Sequence, residues 1–155
     1  MRSEEEKLKL LIEDAEKLHG HLGPFLVIGV KMGILAEKIL TTKRNKNVKL
    51  QVYVKLPLLT PFSCILDGIQ TTTKCTIGNQ KLKVENSQKE ITAHFILQKP
   101  DKPLKVTVNQ KMIEELTEKI SKGFSNEELA WETAHMPENR LFTIESYFKP
   151  TTLKN

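Results

Sequence analysis

The chain of 155 residues is 39% hydrophobic and 28% charged, which predicts one globular domain with its own core. The net charge of +5 is spread along the sequence, and the densest basic run, 43–49, holds no aromatic residue, which favours a solvated loop over a nucleic-acid surface. Two cysteines argue against a disulfide scaffold, and the sequence predicts neither a signal peptide nor a membrane span, so we expect a cytoplasmic protein.

The first predicted element is an amphipathic helix over about residues 4–18. Ser3 and Glu6 form a capping-box pattern, in which the serine side chain and the glutamate side chain each satisfy a backbone N–H. Apolar residues then recur at three- and four-residue spacing. Gly20 suits the C-terminal end of this helix, because glycine readily adopts the left-handed conformation found there.

A second, more apolar helix is predicted from Pro24 to about residue 40. Proline suits the first turn, where its missing N–H leaves no hydrogen bond unmade. Apolar residues occur on most faces, which is typical of a buried helix. Gly29 and Gly33 lie four apart on one face, so we expect another element to pack closely there.

The middle of the chain contains the clearest predicted strand, 48–56, in which apolar and polar residues alternate. Pro57 ends this strand, and an apolar loop with two prolines follows. A short helix is predicted over 63–72, and a turn over 74–79.

The next segments predict three strands. The segments 81–85 and 90–98 are expected to pair as a hairpin across 86–88. A turn at 100–103 leads to a short strand at 104–108.

Two helices and a strand are predicted to complete the chain. Asn109 can cap a helix that stops near Gly123, and Ser125 opens another through about Met136. A last strand is predicted over 141–147. Together these elements predict an α+β fold with a mostly antiparallel sheet packed against helices in a single domain.

Two histidines and two cysteines are the candidate metal ligands. His19 and His21 flank Gly20 at a bend, where side chains two apart can point the same way. Cys64 opens a predicted helix, a position that lowers the pKa of a thiol, and Cys75 lies eleven residues later. Two imidazoles and one or two thiolates suit zinc. From spacing alone, a capping role for the histidines and a packing role for Cys64 remain alternatives.

Two linked motifs carry a resemblance to a known family. The segment HGHLGPFLVIGVKMG, followed by SCILDGIQTTTKCTIGNQKL, resembles the FmdE family, which is named after formylmethanofuran dehydrogenase. That family has a motif like HGHxCPG, then Cys-x-x-Asp-Ala-Ile-Gln and a Gly-Cys-Thr-x-Gly turn. This chain departs from the pattern with Gly23 in place of the first cysteine, Phe25 in place of a glycine, Gly68 in place of the alanine and Lys74 in place of another glycine.

The resemblance implies a single domain over 1–155, with a motif-bearing core at about 8–98 and C-terminal helices and a strand at 104–148. It implies a divalent metal, zinc above all, held by residues from the set His19, His21, Cys64 and Cys75. It also implies a small-molecule ligand and association with a larger oxidoreductase complex. It further implies a homodimer, for which the apolar helix after Pro24, with its Gly29/Gly33 face, is a candidate contact surface.

The resemblance leaves the question of catalysis open. The family is named for one component of a complex that fixes carbon dioxide onto methanofuran, and the catalytic pterin of that complex is carried elsewhere. A metal-binding domain linked to one-carbon or redox metabolism is the first interpretation, with Asp67 as a weak candidate acid or base. A non-catalytic ligand-binding or accessory subunit is the second, since Gly23 removes one thiol of the family's set.

Overall fold

The computed structural model describes residues 2–40, 49–97 and 103–146, which form six helices and five strands. The elements in chain order are α1 (Glu4–His19), α2 (Pro24–Leu40), β1 (Leu50–Leu56), α3 (Cys64–Thr73), β2 (Leu82–Asn86), β3 (Thr92–Leu97), β4 (Leu104–Val108), α4 (Gln110–Ser121), α5 (Asn126–Ala134), α6 (Glu138–Leu141) and β5 (Phe142–Ser146). Some predicted features lie outside these residues. They are the basic loop at 43–48, the turn at 100–102, and the last residues of two predicted strands, 98 and 147. No helix within the described ranges is both long and apolar enough to cross a bilayer.

The two N-terminal helices begin and end as the sequence predicts. The Glu6 amide donates to the Ser3 hydroxyl (3.1 Å), and the Ser3 amide donates to a Glu6 carboxylate oxygen (3.0 Å), so the capping box is confirmed. Gly20 follows α1 with φ of 105°, a conformation that side chains with a Cβ rarely adopt. Pro24 is the first residue of α2, most of which is buried.

The five strands form one mixed sheet in the order β2-β1-β3-β4-β5. Only the pair β1–β2 is parallel among these strands, and the other three pairs are antiparallel. The predicted α+β fold with a mostly antiparallel sheet is confirmed. Alternate residues of β1, β3 and β4 are buried in the core that they share with the helices.

The predicted hairpin between the second and third strands is wrong, although both strands exist. Val52 of β1 pairs with Leu82 of β2 on one side and with Phe95 of β3 on the other, so β1 lies between them. The helix α3 connects β1 to β2 as a crossover, which places those two strands parallel. The segment 87–91 then passes the end of β1, where the Ser87 amide donates to the Leu56 carbonyl (3.0 Å).

Glycines let α2 and α3 pack backbone against backbone. A Cβ on Gly29 would lie 2.1 Å from the carbonyl oxygen of Ile65, and a Cβ on Gly68 would lie 2.4 Å from that of Leu26. The close packing expected at Gly29 and Gly33 is therefore present, and its partner is α3 of the same chain. The suggestion that this face contacts a second copy is wrong, because α3 covers it.

The C-terminal elements deviate from the predicted boundaries by one to two residues. Asn109 precedes α4, but its side-chain amide donates to the Arg140 carbonyl (2.9 Å) and thereby links α4 to α6. Ser125 caps α5, which ends at Ala134 rather than near Met136. Leu141 belongs to α6 and precedes the last strand.

His94 lies on the polar face of the sheet, between Tyr53 of β1 and Lys105 of β4. Its ring is 6.1 Å from the Tyr53 ring, and its Nδ1 atom is buried without a hydrogen-bond partner among the residues described. Burial lowers the pKa of His94, and the nearby charges of Lys105 and Lys55 lower it further. The charges of Glu90 and Glu145 partly oppose this, and the net effect favours the neutral imidazole in the folded protein.

We expect His94 to make the protein less stable in mild acid. The lowered pKa means that the unfolded chain binds a proton below its usual pKa of about 6.5, before the folded protein does, so folding free energy is lost as pH falls from there. Urea unfolding at pH 7 and pH 5 should therefore show a smaller loss of stability for His94→Gln than for the wild type. Equal losses in the two proteins would contradict this assignment.

Candidate metal centre

The turn between α1 and α2 brings His19 and His21 side by side. His19 is the last residue of α1, and the left-handed conformation of Gly20 ends the helix immediately after it. The two imidazole rings lie 4.5 Å apart, centroid to centroid, with their planes inclined by 58°. His19 is largely buried and His21 is exposed, so this pair lies at the protein surface with one ring directed inward.

Cys64 reaches the same place from the first turn of α3. The close contact of Gly29 and Gly68 with the backbone of the opposite helix fixes α3 against α2. One ligand atom from each of His19, His21 and Cys64 lies within 4.8 Å of the other two. Although the first and last of these residues are 45 positions apart in the chain, the fold gathers their two nitrogens and one sulfur into one group.

Cys75 lies outside this group. It follows the C-terminal end of α3, whereas Cys64 is at the N-terminal end, and a ten-residue helix is about 15 Å long. Its thiol is buried and donates to the carbonyl of Leu50 (3.3 Å). The structure thus unites three of the four candidate ligands and separates the fourth.

Asp67 contacts His19 directly. Its Oδ2 atom is 2.7 Å from His19 Nδ1, and its Oδ1 atom accepts a hydrogen bond from Gln70 Nε2 (2.9 Å). The only sequence signal for this contact is that Asp67 and Gln70 lie one helical turn apart on the same helix as Cys64. Asp67 and His19 are 48 residues apart in the chain, so their contact could be seen only in the folded structure.

The Nε2 atom of His19 is available as a metal ligand. This atom is buried and has no hydrogen-bond partner within the described part of the chain. A buried polar atom without a partner is costly, and a metal ion is one group that satisfies it. Two imidazole nitrogens and a thiolate form a donor set that zinc and other borderline-soft metals accept, so these residues fit such an ion.

The pKa of Cys64 is raised, whereas its position at the start of a helix predicts a lowered pKa. Burial raises the pKa of this thiol, and the negative charge of Asp67 raises it further, while a backbone hydrogen bond at Cys64 acts in the opposite direction. The expected lowering by a helix N-terminus is therefore outweighed. Desolvation dominates because Cys64 is only 6% exposed.

A separate groove of about 510 Å³ lies between α1, α2 and α5. Its floor is apolar, with Leu8, Leu11 and Ile34, and its rim carries lysines and glutamates. Two of the rim charges, Lys38 and Glu138, form an ion pair with each other (3.2 Å). None of the three grouped ligands lines this groove.

Fold and site together define a class of protein: a single α+β domain in which a His–Gly–His turn and a helical cysteine form one cluster. The chain belongs to the FmdE family. The model of that family, described as "FmdE, Molybdenum formylmethanofuran dehydrogenase operon", matches residues 18–146. This match confirms the resemblance carried by the two motifs.

The chain is also similar to a curated protein of Archaeoglobus fulgidus, named "Probable S-adenosyl-L-methionine-binding protein". The two are 30% identical over 123 residues. The match covers 79% of this chain and 31% of the relative. The chain thus spans about a third of the length of that relative.

Proposed function

We propose that this protein is a metal-binding domain of the FmdE family, in which His19, His21 and Cys64 hold a divalent ion. The observation that carries the proposal is the convergence of these three side chains, with His19 Nε2 buried and unpartnered within the described residues. Zinc suits the two nitrogens and one sulfur best. The proposal includes work in a reducing cytoplasm, where a thiol such as that of Cys64 stays available as a metal ligand.

Three protein ligands leave one position of a tetrahedral ion open, and this is the arrangement of catalytic rather than structural zinc. An ion so placed supplies Lewis acidity toward a small substrate or a water molecule. The exposure of His21 gives such a molecule access from solvent. The proposal extends to a role in one-carbon or redox metabolism, which the operon named in the family description supports. A larger oxidoreductase and a second copy of the chain are the candidate partners.

A second candidate function is that of a non-catalytic ligand-binding or accessory subunit. Gly23 stands where the family motif has a cysteine, beside the histidine pair. A Cβ at Gly23 would lie 3.9 Å from the Cβ of Asn126, an ordinary contact, so a side chain would fit there and packing does not account for the glycine. The match leaves out about two thirds of the relative that is named for binding S-adenosyl-L-methionine.

Metal analysis of the purified protein tests the proposal. We expect about one zinc per chain by mass spectrometry of the metal content, and its loss in His19→Ala and in Cys64→Ser, since each variant removes one of three ligands. Cys75→Ala removes the other thiol and should retain the metal. Chelation should lower the melting temperature of the wild type, because an ion that binds only the folded state stabilises it.

A folded wild-type protein that carries no metal and binds none on addition would contradict the proposal and favour the accessory subunit. Retention of metal by Cys64→Ser with full occupancy would remove Cys64 from the ligand set.

A further inference from the structure

A chain of three hydrogen bonds runs from the backbone to His19. The Ile77 amide donates to Gln70 Oε1 (3.2 Å), Gln70 Nε2 donates to Asp67 Oδ1 (2.9 Å), and Asp67 Oδ2 is 2.7 Å from His19 Nδ1. The chain thus links the cluster to the turn that follows α3. Both carboxylate oxygens of Asp67 take part in it.

The backbone end sets the direction of every bond in this chain. A backbone N–H can only donate, so the oxygen of the Gln70 amide must face Ile77 and its NH₂ group must face Asp67. A carboxylate can only accept, so Asp67 accepts from Gln70 and requires a donor at His19. Nδ1 of His19 therefore carries the ring hydrogen, and the lone pair is at Nε2. This is the buried atom without a partner in the described ranges.

We propose that Asp67 is a positioning residue which, together with Gln70, holds His19 in the tautomer that presents Nε2 to the metal. This inference rests on the proposed function. It also assigns Asp67 a role other than the acid or base that the sequence suggests, because both of its oxygens are engaged within the protein. Partners of this kind, beyond the ligands themselves, are known to orient metal-binding histidines and to raise affinity about 10- to 100-fold.

The chain of hydrogen bonds predicts that Asp67→Asn changes the tautomer of His19. Gln70, held by Ile77, still directs its NH₂ group at residue 67, so the new amide must turn its oxygen toward Gln70 and its own NH₂ group toward His19. Nδ1 must then accept, and the ring hydrogen moves to Nε2, where it blocks the ligand atom. Asp67→Ala removes the same negative charge but imposes no tautomer.

Titration of metal-free protein with Co²⁺, followed by the thiolate-to-cobalt absorption band, measures these effects. We expect affinity to fall about 10- to 100-fold in Asp67→Asn and by less in Asp67→Ala. Gln70→Leu should lower affinity less than Asp67→Asn does. Asp14→Asn, which removes an exposed carboxylate from α1, is the matched control for charge and should bind as the wild type does.

Nitrogen NMR of the His19 ring in metal-free protein gives a second readout. The wild type should show the Nδ1–H tautomer and Asp67→Asn the Nε2–H tautomer, whatever the stability of each variant. Equal affinity in Asp67→Asn and Asp67→Ala, or an unchanged tautomer in Asp67→Asn, would overturn the positioning role while the metal site stands. Failure of the wild type to bind cobalt or zinc would instead overturn the proposed function, and this role with it.

Discussion

Replacing Gly29 by alanine is expected to destabilise the protein by about 3 kcal/mol or more, which is large for one methyl group. The new Cβ would lie 2.1 Å from the carbonyl oxygen of Ile65 and 2.9 Å from its carbonyl carbon. Because these are backbone atoms of a packed helix, no rotamer change relieves the contact. The helices α2 and α3 must separate, and Cys64, the residue before Ile65, must move with them.

Chemical denaturation of Gly29→Ala and Gly78→Ala measures this effect against a matched control. A Cβ on Gly78 would meet its nearest neighbour, Thr76 Oγ1, at 3.8 Å, which is ordinary contact. We therefore expect little change in the free energy of unfolding for Gly78→Ala. If the two variants were equally stable, the close approach of α2 and α3 would be incorrect. Weaker zinc binding in Gly29→Ala alone would connect the helix contact to the metal centre.

Replacing Lys31 by methionine is expected to cost about 2–4 kcal/mol. The ammonium group of Lys31 reaches from α2 to the C-terminal end of α5, where it donates to the carbonyls of Thr133 (3.2 Å), Ala134 (2.9 Å) and Met136 (2.5 Å). Burial lowers the pKa of Lys31, and Glu138 partly opposes this. Methionine keeps the aliphatic length of the side chain but leaves the three carbonyl oxygens without this donor.

Lys38→Met is the control on the same helix. Lys38 pairs with Glu138 across 3.2 Å, but its side chain is 57% exposed, and exposed ion pairs contribute about 0–1 kcal/mol. Thermal and urea unfolding of both variants should rank Lys31→Met as clearly less stable. Similar losses for the two substitutions would show that the contacts of Lys31 with α5 do not stabilise the fold.

Most helices and strands could be predicted from the sequence. Helix caps, glycines at helix ends and alternating apolar and polar residues each depend on a few neighbouring residues. The capping box at Ser3 and the left-handed Gly20 are examples. The pairing of β2 could not be derived this way. Adjacent strands suggested a hairpin, but the crossover through α3 brings β2 to the far side of β1, a choice made by packing between distant segments.

The candidate site was partly predictable for a similar reason. The histidine pair and Cys64 were identified by residue type, yet spacing could not show which end of α3 faces the histidines. Spacing therefore leaves Cys75 as a candidate ligand, whereas the fold places it at the opposite end of α3 from Cys64. Residue type alone makes Asp67 a candidate, while its contact with His19 depends on the packing of α1 beside α3.

A metal ion bound at the cluster would also affect the attachment of α1 to the rest of the domain. In α1, Ile12 and Ala15 are buried, and Leu8 and Leu11 are partly buried against the core. An ion shared by His19, His21 and Cys64 would cross-link the end of α1 to the start of α3 and close a loop of about 45 residues, which restricts the unfolded ensemble as a disulfide does. A bound ion would then add a second attachment of the N-terminal helix to that made by its apolar contacts.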